Sequence, residues 1–154
     1  MKWEWQWFLH YCLFFAGYDA DLPEKGVNME MIIGGAFQGK STYAKKKYPD
    51  VVWYLGEELT TQELFSAQGV QGFHAYIRRE MQAGRDVSML AEKLIQENPD
   101  IILVSDEVGY GVVPVDAFDR AYREAVGRVC TKLAAYSSRV TRVICGIGTV
   151  IKDA

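Results

Sequence analysis

A glycine-rich run between a predicted strand and a predicted helix constrains the fold of this chain more than any other feature. The run fits the spacing G-x-x-x-x-G-K-[ST] and consists of Gly34, Gly35, Ala36, Phe37, Gln38, Gly39, Lys40, Ser41 and Thr42. Residues 29–33 before it predict a short buried strand, and residues 43–47 after it continue a helix that Pro49 ends. Glycines let backbone N–H groups surround a phosphate, and the helix N-terminus adds partial positive charge. The run therefore predicts a loop that binds the phosphates of a nucleotide.

Predicted strands and helices alternate from Met29 onward. Further strands are predicted at 51–54, 101–104 and 140–145, helices at 59–68, 73–83, from Asp86 or Ser88 to Asn98 and at 116–136, and a turn at 146–148. Continuous apolar runs such as 101–104 are typical of strands that are buried on both faces of a parallel sheet. The alternation predicts an α/β, P-loop NTP-binding fold with a mainly parallel sheet flanked by helices.

The loop and one strand end predict the residues that carry chemistry. Lys40 is expected to reach the β- and γ-phosphates, and the Ser41 hydroxyl is expected to bind Mg²⁺. Asp106 and Glu107 follow the buried strand 101–104, at the position where P-loop proteins hold magnesium. We expect Asp106 in the magnesium shell and Glu107 orienting or deprotonating an acceptor hydroxyl. The other interpretation is that both are solvated loop carboxylates.

Composition limits the class of protein. A chain of 154 residues with 49% hydrophobic and 24% charged residues is typical of one soluble globular domain. The net charge of −3 gives no sign of a nucleic-acid surface, so no nucleic-acid partner is expected. Three widely spaced cysteines without a C-x-x-C pattern suit a reducing cytosol, and a cytoplasmic location is expected.

Residues 1–28 differ from the rest and are predicted to be an aromatic N-terminal extension and linker before a nucleotide-binding domain at 29–154. Eight aromatic residues lie in the first 18 positions. The apolar stretch 5–17 is too short to span a bilayer as a helix, so no transmembrane span is expected. Met29 is a candidate natural start. The extension either packs as an appended cap or contacts a partner or membrane surface.

Three later segments carry a family resemblance. They are the loop Asp106-Glu107-Val108-Gly109-Tyr110-Gly111-Val112-Val113-Pro114, the helical stretch 118–129 with its Gly127-Arg128 pair, and Cys145-Gly146-Ile147-Gly148. With the glycine-rich loop, their order resembles the adenosylcobinamide kinase / adenosylcobinamide-phosphate guanylyltransferase family of cobalamin assembly. Matching segments run from about Met31 to Lys152.

The resemblance implies ATP- or GTP-dependent phosphorylation of the aminopropanol hydroxyl of a cobinamide, with Mg²⁺ as cofactor. It further implies guanylyl transfer to that phosphate through a histidine–GMP intermediate. The catalytic residues implied are Lys40, Asp106 and Glu107, and a homo-oligomer is expected. Residues 54–73 contain no His, Arg or Lys where the family places its histidine among arginines. The expectation is therefore a cobinamide-type kinase whose guanylyltransferase half is in doubt.

His74 is the candidate nucleophile for that second step, since it is the one histidine outside the extension. It lies on the predicted helix that also carries Arg78 and Arg79, and the other interpretation is a partly exposed helical residue. The alternative function is a nucleotide-binding regulatory or partner protein of the corrinoid pathway without full catalytic activity.

Overall fold

A six-stranded sheet organises the chain, whose computed structural model describes residues 28–109, 111 and 114–154. The strands are β1 (Glu30–Gly34), β2 (Trp53–Leu55), β3 (Gly69–Gln71), β4 (Ile102–Asp106), β5 (Arg139–Ile144) and β6 (Ile147–Asp153). Their order is β2-β3-β4-β1-β5-β6, and all pairs are parallel except β5 with β6. Because β1 lies between β4 and β5, the loop after β1 emerges between the carboxyl ends of two neighbouring strands.

Helices cover both faces of the sheet, as the sequence predicts. They are α1 (Lys40–Lys47), α2 (Thr61–Leu64), α3 (Phe73–Gln82), α4 (Leu90–Glu97) and α5 (Ala117–Tyr136). Helices α3, α4 and α5 pack against Met31, Val70, Leu103 and Val140 in the larger core. Helix α1 packs through Ala44 on the other face, over Ile32, Val104 and Val143. The predicted fold class, a mainly parallel sheet flanked by helices, is confirmed.

Local signals fix the ends of several helices. The Asp116 side chain accepts a hydrogen bond from the Asp119 N–H at 3.1 Å, which caps α5 where the sequence predicts its start. Thr60 and Glu63 form a reciprocal capping box at α2. The chain leaves α3 through Gly84 at a φ of 72°. Asp86 holds Ser88 in a side-chain-stabilised turn, so α4 begins at Leu90 rather than at either of those residues.

Two predictions about secondary structure are wrong. The predicted helix 59–68 is helical only at α2, and the strand β3 follows it. A Cβ at Gly69 would lie 2.7 Å from the Trp53 ring, so this short strand depends on a glycine beneath an aromatic side chain. The predicted turn at 146–148 is in fact the start of β6. The turn lies at Cys145 and Gly146, whose φ values of 51° and 77° suit a two-residue hairpin.

The predicted extension 1–28 lies outside the described residues apart from Asn28, so its role as a cap or contact surface and the start at Met29 stay predictions. Within the described part of the chain, none of the five helices combines the length and the apolar character that crossing a membrane requires.

Candidate nucleotide-binding site

The glycine-rich loop connects the end of β1 to the start of α1, in the arrangement that the motif predicts. Gly34 packs so closely against the Val143 carbonyl that a Cβ at this position would collide with it. Gly39 is the N-cap of α1 and has a φ of 83°, where side chains other than glycine are strained. Phe37 has a φ of 58° and is fully exposed. The loop thus presents its backbone and the N-terminus of α1 to solvent at the carboxyl ends of the parallel strands.

Contacts from both neighbouring strands hold this loop. The Gln38 side-chain Oε1 accepts a hydrogen bond from the Cys145 N–H, and its carbonyl accepts one from the Gly146 N–H, both at 2.8 Å. On the other side, the Glu107 N–H donates to the Gly34 carbonyl at 2.9 Å. Such contacts set the loop's shape before any ligand binds, which lowers the entropy lost on binding.

Lys40 is the central charge of the site. The residue is 6% exposed, and its Nζ lies 2.6 Å from the Gly35 carbonyl and 2.7 Å from Asp106 Oδ1. A buried ammonium needs such acceptors. The parallel register that pairs Gly34 with Asp106 brings the two residues together. Lys40 and Asp106, the residues that the sequence analysis assigns to phosphate and to magnesium, thus lie in direct contact, and their roles stay predictions.

The two neighbouring carboxylates lie in different surroundings. Successive strand side chains alternate between the faces of a sheet. Asp106 shares the α1 face with Lys40, whereas Glu107 contacts Arg142, whose guanidinium Nη2 lies 3.1 Å from Glu107 Oε2. The Glu107 side chain is only 14% exposed, so it is not a solvated loop carboxylate. Sequence reasoning missed Arg142, although an arginine in the interior of the predicted strand 140–145 was a signal.

His74 joins the site at the start of α3. Its Nδ1 accepts a hydrogen bond from the Asp106 backbone N–H at 3.0 Å, and its Nε2 lies 3.7 Å from Asp106 Oδ2. The Tyr122 hydroxyl donates to the His74 carbonyl at 3.1 Å. Burial lowers the pKa of His74, against the opposing effect of the Asp106 charge, so the imidazole is held in its neutral form. The residue is thus placed at Asp106 and is not merely a surface position of the helix.

The oxygen donors at the site suit magnesium. Ser41 and Thr42 lie exposed in the first turn of α1, and the Asp106 carboxylate faces the same loop. Among the described residues, no group of three or more His, Cys, Asp or Glu side chains could hold a metal ion by itself. Mg²⁺ commonly binds through one or two protein oxygens together with substrate phosphates, so Ser41 and Asp106 fit this ion when a nucleotide is present.

A cavity opens beside the loop that follows Glu107. It has a volume of about 240 Å³, and its lining includes Arg78, Gly109, Pro114, Asp119, Tyr122 and Arg123. The Arg78 guanidinium lies over the Phe118 and Tyr122 rings and pairs with Asp119 at 2.9 Å. A cavity with cationic and aromatic side chains is therefore lined by Val108, the residue that follows the candidate base Glu107.

Comparison with known proteins identifies the family. The family described as CobU, cobinamide kinase / cobinamide phosphate guanyltransferase, matches residues 55–151. The chain belongs to this family. The match includes β4, α5 and the β5–β6 hairpin, in agreement with the resemblance carried by the loop after Asp106. It begins after the glycine-rich loop, whose assignment rests on its own spacing and geometry.

Two bifunctional adenosylcobalamin biosynthesis proteins CobU, from Salmonella typhimurium LT2 and Escherichia coli K12, are each 44% identical to the chain over 52 residues. That stretch covers 34% of this chain and 29% of each relative, so less than a third of either relative's length is matched. A solved structure of the P4 protein from bacteriophage phi6 in complex with ADP is similar over 84% of this chain and 56% of its own, with 17% identity and a TM-score of 0.43. This last likeness is too low to bear on function.

Proposed function

We propose that the chain is a nucleotide-dependent phosphotransferase that phosphorylates a corrinoid hydroxyl, the kinase half of the chemistry for which its family is named. The meeting of Lys40 with Asp106 at the end of the glycine-rich loop is the observation that carries this proposal. Membership of the cobinamide kinase family supplies the class of acceptor.

Phosphate binding follows from the loop. The backbone N–H groups of 34–42 and the N-terminus of α1 bind the inner phosphates, and Lys40 turns its ammonium from Asp106 to the β- and γ-phosphate oxygens. The Ser41 hydroxyl and the Asp106 carboxylate would hold Mg²⁺, which neutralises part of the phosphate charge. ATP and GTP are both candidate donors, because these contacts recognise phosphates and not the base.

Transfer requires a group that receives the acceptor's proton. The acceptor oxygen forms its bond to the γ-phosphorus as the bond to the bridging oxygen breaks, and a nucleoside diphosphate leaves. Glu107 receives the hydroxyl proton, and Arg142 fixes the orientation of its carboxylate. The cavity lined by Arg78, Val108 and Tyr122 is the proposed site for the acceptor's polar arm, because Val108 directly follows Glu107 in the chain.

Guanylyl transfer is not part of this proposal. Residues 54–73 contain no histidine, arginine or lysine. His74 already accepts a hydrogen bond at Nδ1, and its Nε2 faces a carboxylate, which would repel an incoming phosphate. A homo-oligomeric assembly also remains a proposal, to be checked by light scattering.

The contact between Glu107 and Arg142 also favours a second candidate function. Arg142 donates two hydrogen bonds to Glu107 Oε2, so that oxygen is already engaged, as expected for a nucleotide-binding partner protein of the pathway without full catalysis. The two functions differ in one assay, in which purified protein is mixed with cobinamide, Mg²⁺ and either ATP or GTP. Phosphorylated cobinamide detected by mass spectrometry supports the kinase. Nucleotide binding without this product supports the partner protein, and no binding contradicts both.

A further inference from the structure

The side chain of Gln71, at the carboxyl end of β3, is buried without satisfying its hydrogen-bonding capacity. The residue is 6% exposed, and within the described part of the chain its Nε2 has no hydrogen-bond partner. Buried amide donors are nearly always paired, since an unpaired one is destabilising. The orphaned group is a donor, so the partner that it lacks is an acceptor.

The sheet register places Gln71 beside the candidate site. Gln71 pairs with Val104 of the neighbouring parallel strand, and Val104 belongs to the core under α1. Asp106 lies two residues further along the same face. One strand spacing and two residues of rise put the Cα atoms of Gln71 and Asp106 about 8 Å apart, within reach of a long side chain. Gln71 therefore flanks the Lys40–Asp106 pair on the side away from the loop.

We propose that the Gln71 side-chain amide donates a hydrogen bond to the terminal phosphate of a bound nucleoside triphosphate. This inference rests on the proposed nucleotide binding. The loop and the start of α1 hold the inner phosphates next to β1. Strand β4 lies between β1 and β3, so the group that reaches toward β3 is the phosphate farthest from the loop. An anionic oxygen is the strongest acceptor for a buried amide donor.

A matched control lies on the same face of the sheet. Thr141 on β5 is completely buried, and its Oγ1 also has no partner in the described residues. It pairs in register with Ile32, beneath α1, and lies on the opposite side of β4 from Gln71, two strands away from Asp106 rather than one. Thr141→Val removes a comparable orphaned group without touching the proposed contact. The pair Gln71→Met and Thr141→Val thus separates loss of a ligand contact from removal of a buried polar atom.

Calorimetry with a nucleoside triphosphate and the matching diphosphate, both with Mg²⁺, provides the test. For Gln71→Met we expect triphosphate affinity to fall roughly tenfold to a hundredfold, as for loss of a hydrogen bond to a charged group, with diphosphate affinity unchanged. The melting temperature without nucleotide should stay the same or rise, because the orphaned donor is gone. Thr141→Val should leave both affinities unchanged.

Several results would overturn the inference. Unchanged triphosphate affinity in Gln71→Met would do so, as would an equal loss for both nucleotides. If Gln71→Met does not fold, Gln71→Asn serves instead, because it keeps an amide but withdraws it by one methylene. Wild-type protein that binds neither nucleotide would overturn the proposed function along with this contact, whereas a normal wild type with unaffected variants overturns this contact alone.

Discussion

The Arg142 guanidinium donates two hydrogen bonds to one oxygen of Glu107, from Nε at 3.2 Å and from Nη2 at 3.1 Å. Arg142 lies on β5 and Glu107 follows β4, so the contact spans β1, the strand that carries the glycine-rich loop. The two side chains are 23% and 14% exposed. Because both side chains are largely shielded from solvent, Arg142 fixes the orientation of the Glu107 carboxylate. A general base needs such a fixed orientation before the acceptor binds.

The first prediction concerns this pair. Arg142→Met leaves Glu107 without its orienting partner, so kcat for phosphoryl transfer should fall at least about tenfold. Nucleotide affinity should change little, because Arg142 lies on the face opposite to Lys40. Arg142→Lys keeps the charge but loses the two-pronged geometry, and it should recover only part of the rate. Steady-state kinetics and calorimetry together measure both effects, and an equal loss of affinity would contradict the orienting role.

The second prediction concerns Lys40. Lys40→Ala removes the mobile positive charge at the β- and γ-phosphates, a contact worth about 2–3 kcal/mol. Calorimetry should therefore show nucleotide affinity falling roughly a hundredfold. Lys47→Ala is the matched control, since Lys47 is on the same helix but pairs with Glu30 at 3.1 Å. Unchanged binding by the Lys40 variant would refute the phosphate-binding loop.

The third prediction separates metal binding from folding. Asp106→Asn removes the charge that would hold Mg²⁺ but keeps an oxygen that can accept from Lys40. Phosphoryl transfer should therefore drop by at least about two orders of magnitude while the melting temperature changes little. Glu107→Gln should cause a similar loss of rate. Full activity in both variants would move the metal and base roles to other residues.

The fourth prediction concerns covalent chemistry at His74. Incubation with GTP and Mg²⁺ should leave no GMP adduct on the protein, because His74 accepts the Asp106 N–H at Nδ1 and faces its carboxylate at Nε2. Intact-mass spectrometry measures this directly. An adduct in the wild type that disappears in His74→Asn would restore the nucleophilic role and with it the guanylyltransferase half.

The fifth prediction uses an ion pair away from the site. Arg85 donates to both carboxylate oxygens of Glu80, at 2.6 and 2.7 Å, and this contact lowers the pKa of Glu80 below its ordinary value of 4.5. A lowered pKa in the folded state stabilises the protein above the unfolded pKa, and this stability is lost as the pH falls through the folded pKa. Glu80→Gln should therefore be destabilised at neutral pH. Urea titrations should show the difference from wild type shrinking below pH 4.5, and a constant difference would contradict the ion pair's role.

Local signals made part of this structure predictable. The glycine-rich spacing, the apolar run of β4 and the Asp116 cap each lie within a few residues, and each of these elements was predicted correctly. Strand β3 could not be predicted in this way, because Gly69–Gln71 is a strand only through pairing with β4 and packing under Trp53. Strand β6 was missed because its residues are mostly exposed and show no clear alternation of burial.

The candidate site likewise combines contacts that local sequence predicts with contacts that depend on the whole sheet. The contact between Lys40 and Asp106 follows from two motifs whose roles are understood separately. The contacts of Arg142 with Glu107 and of His74 with Asp106 depend on which strands are neighbours, and strand order is a property of the whole sheet. Sequence spacing alone does not give this order, so these two partners emerge only once the fold is known.

The anchoring of Gln38 by Cys145 and Gly146 has a consequence for how the protein is made. Synthesis proceeds from the N-terminus, so the glycine-rich loop leaves the ribosome long before the hairpin that holds it. Strand β1 must also wait for β4 and β5, its two neighbours, both distant in sequence. A nascent chain that has exposed residues 34–42 therefore has the phosphate-binding motif but cannot yet hold it in shape. Nucleotide can assist only the final step of folding, after residues 139–153 have been translated.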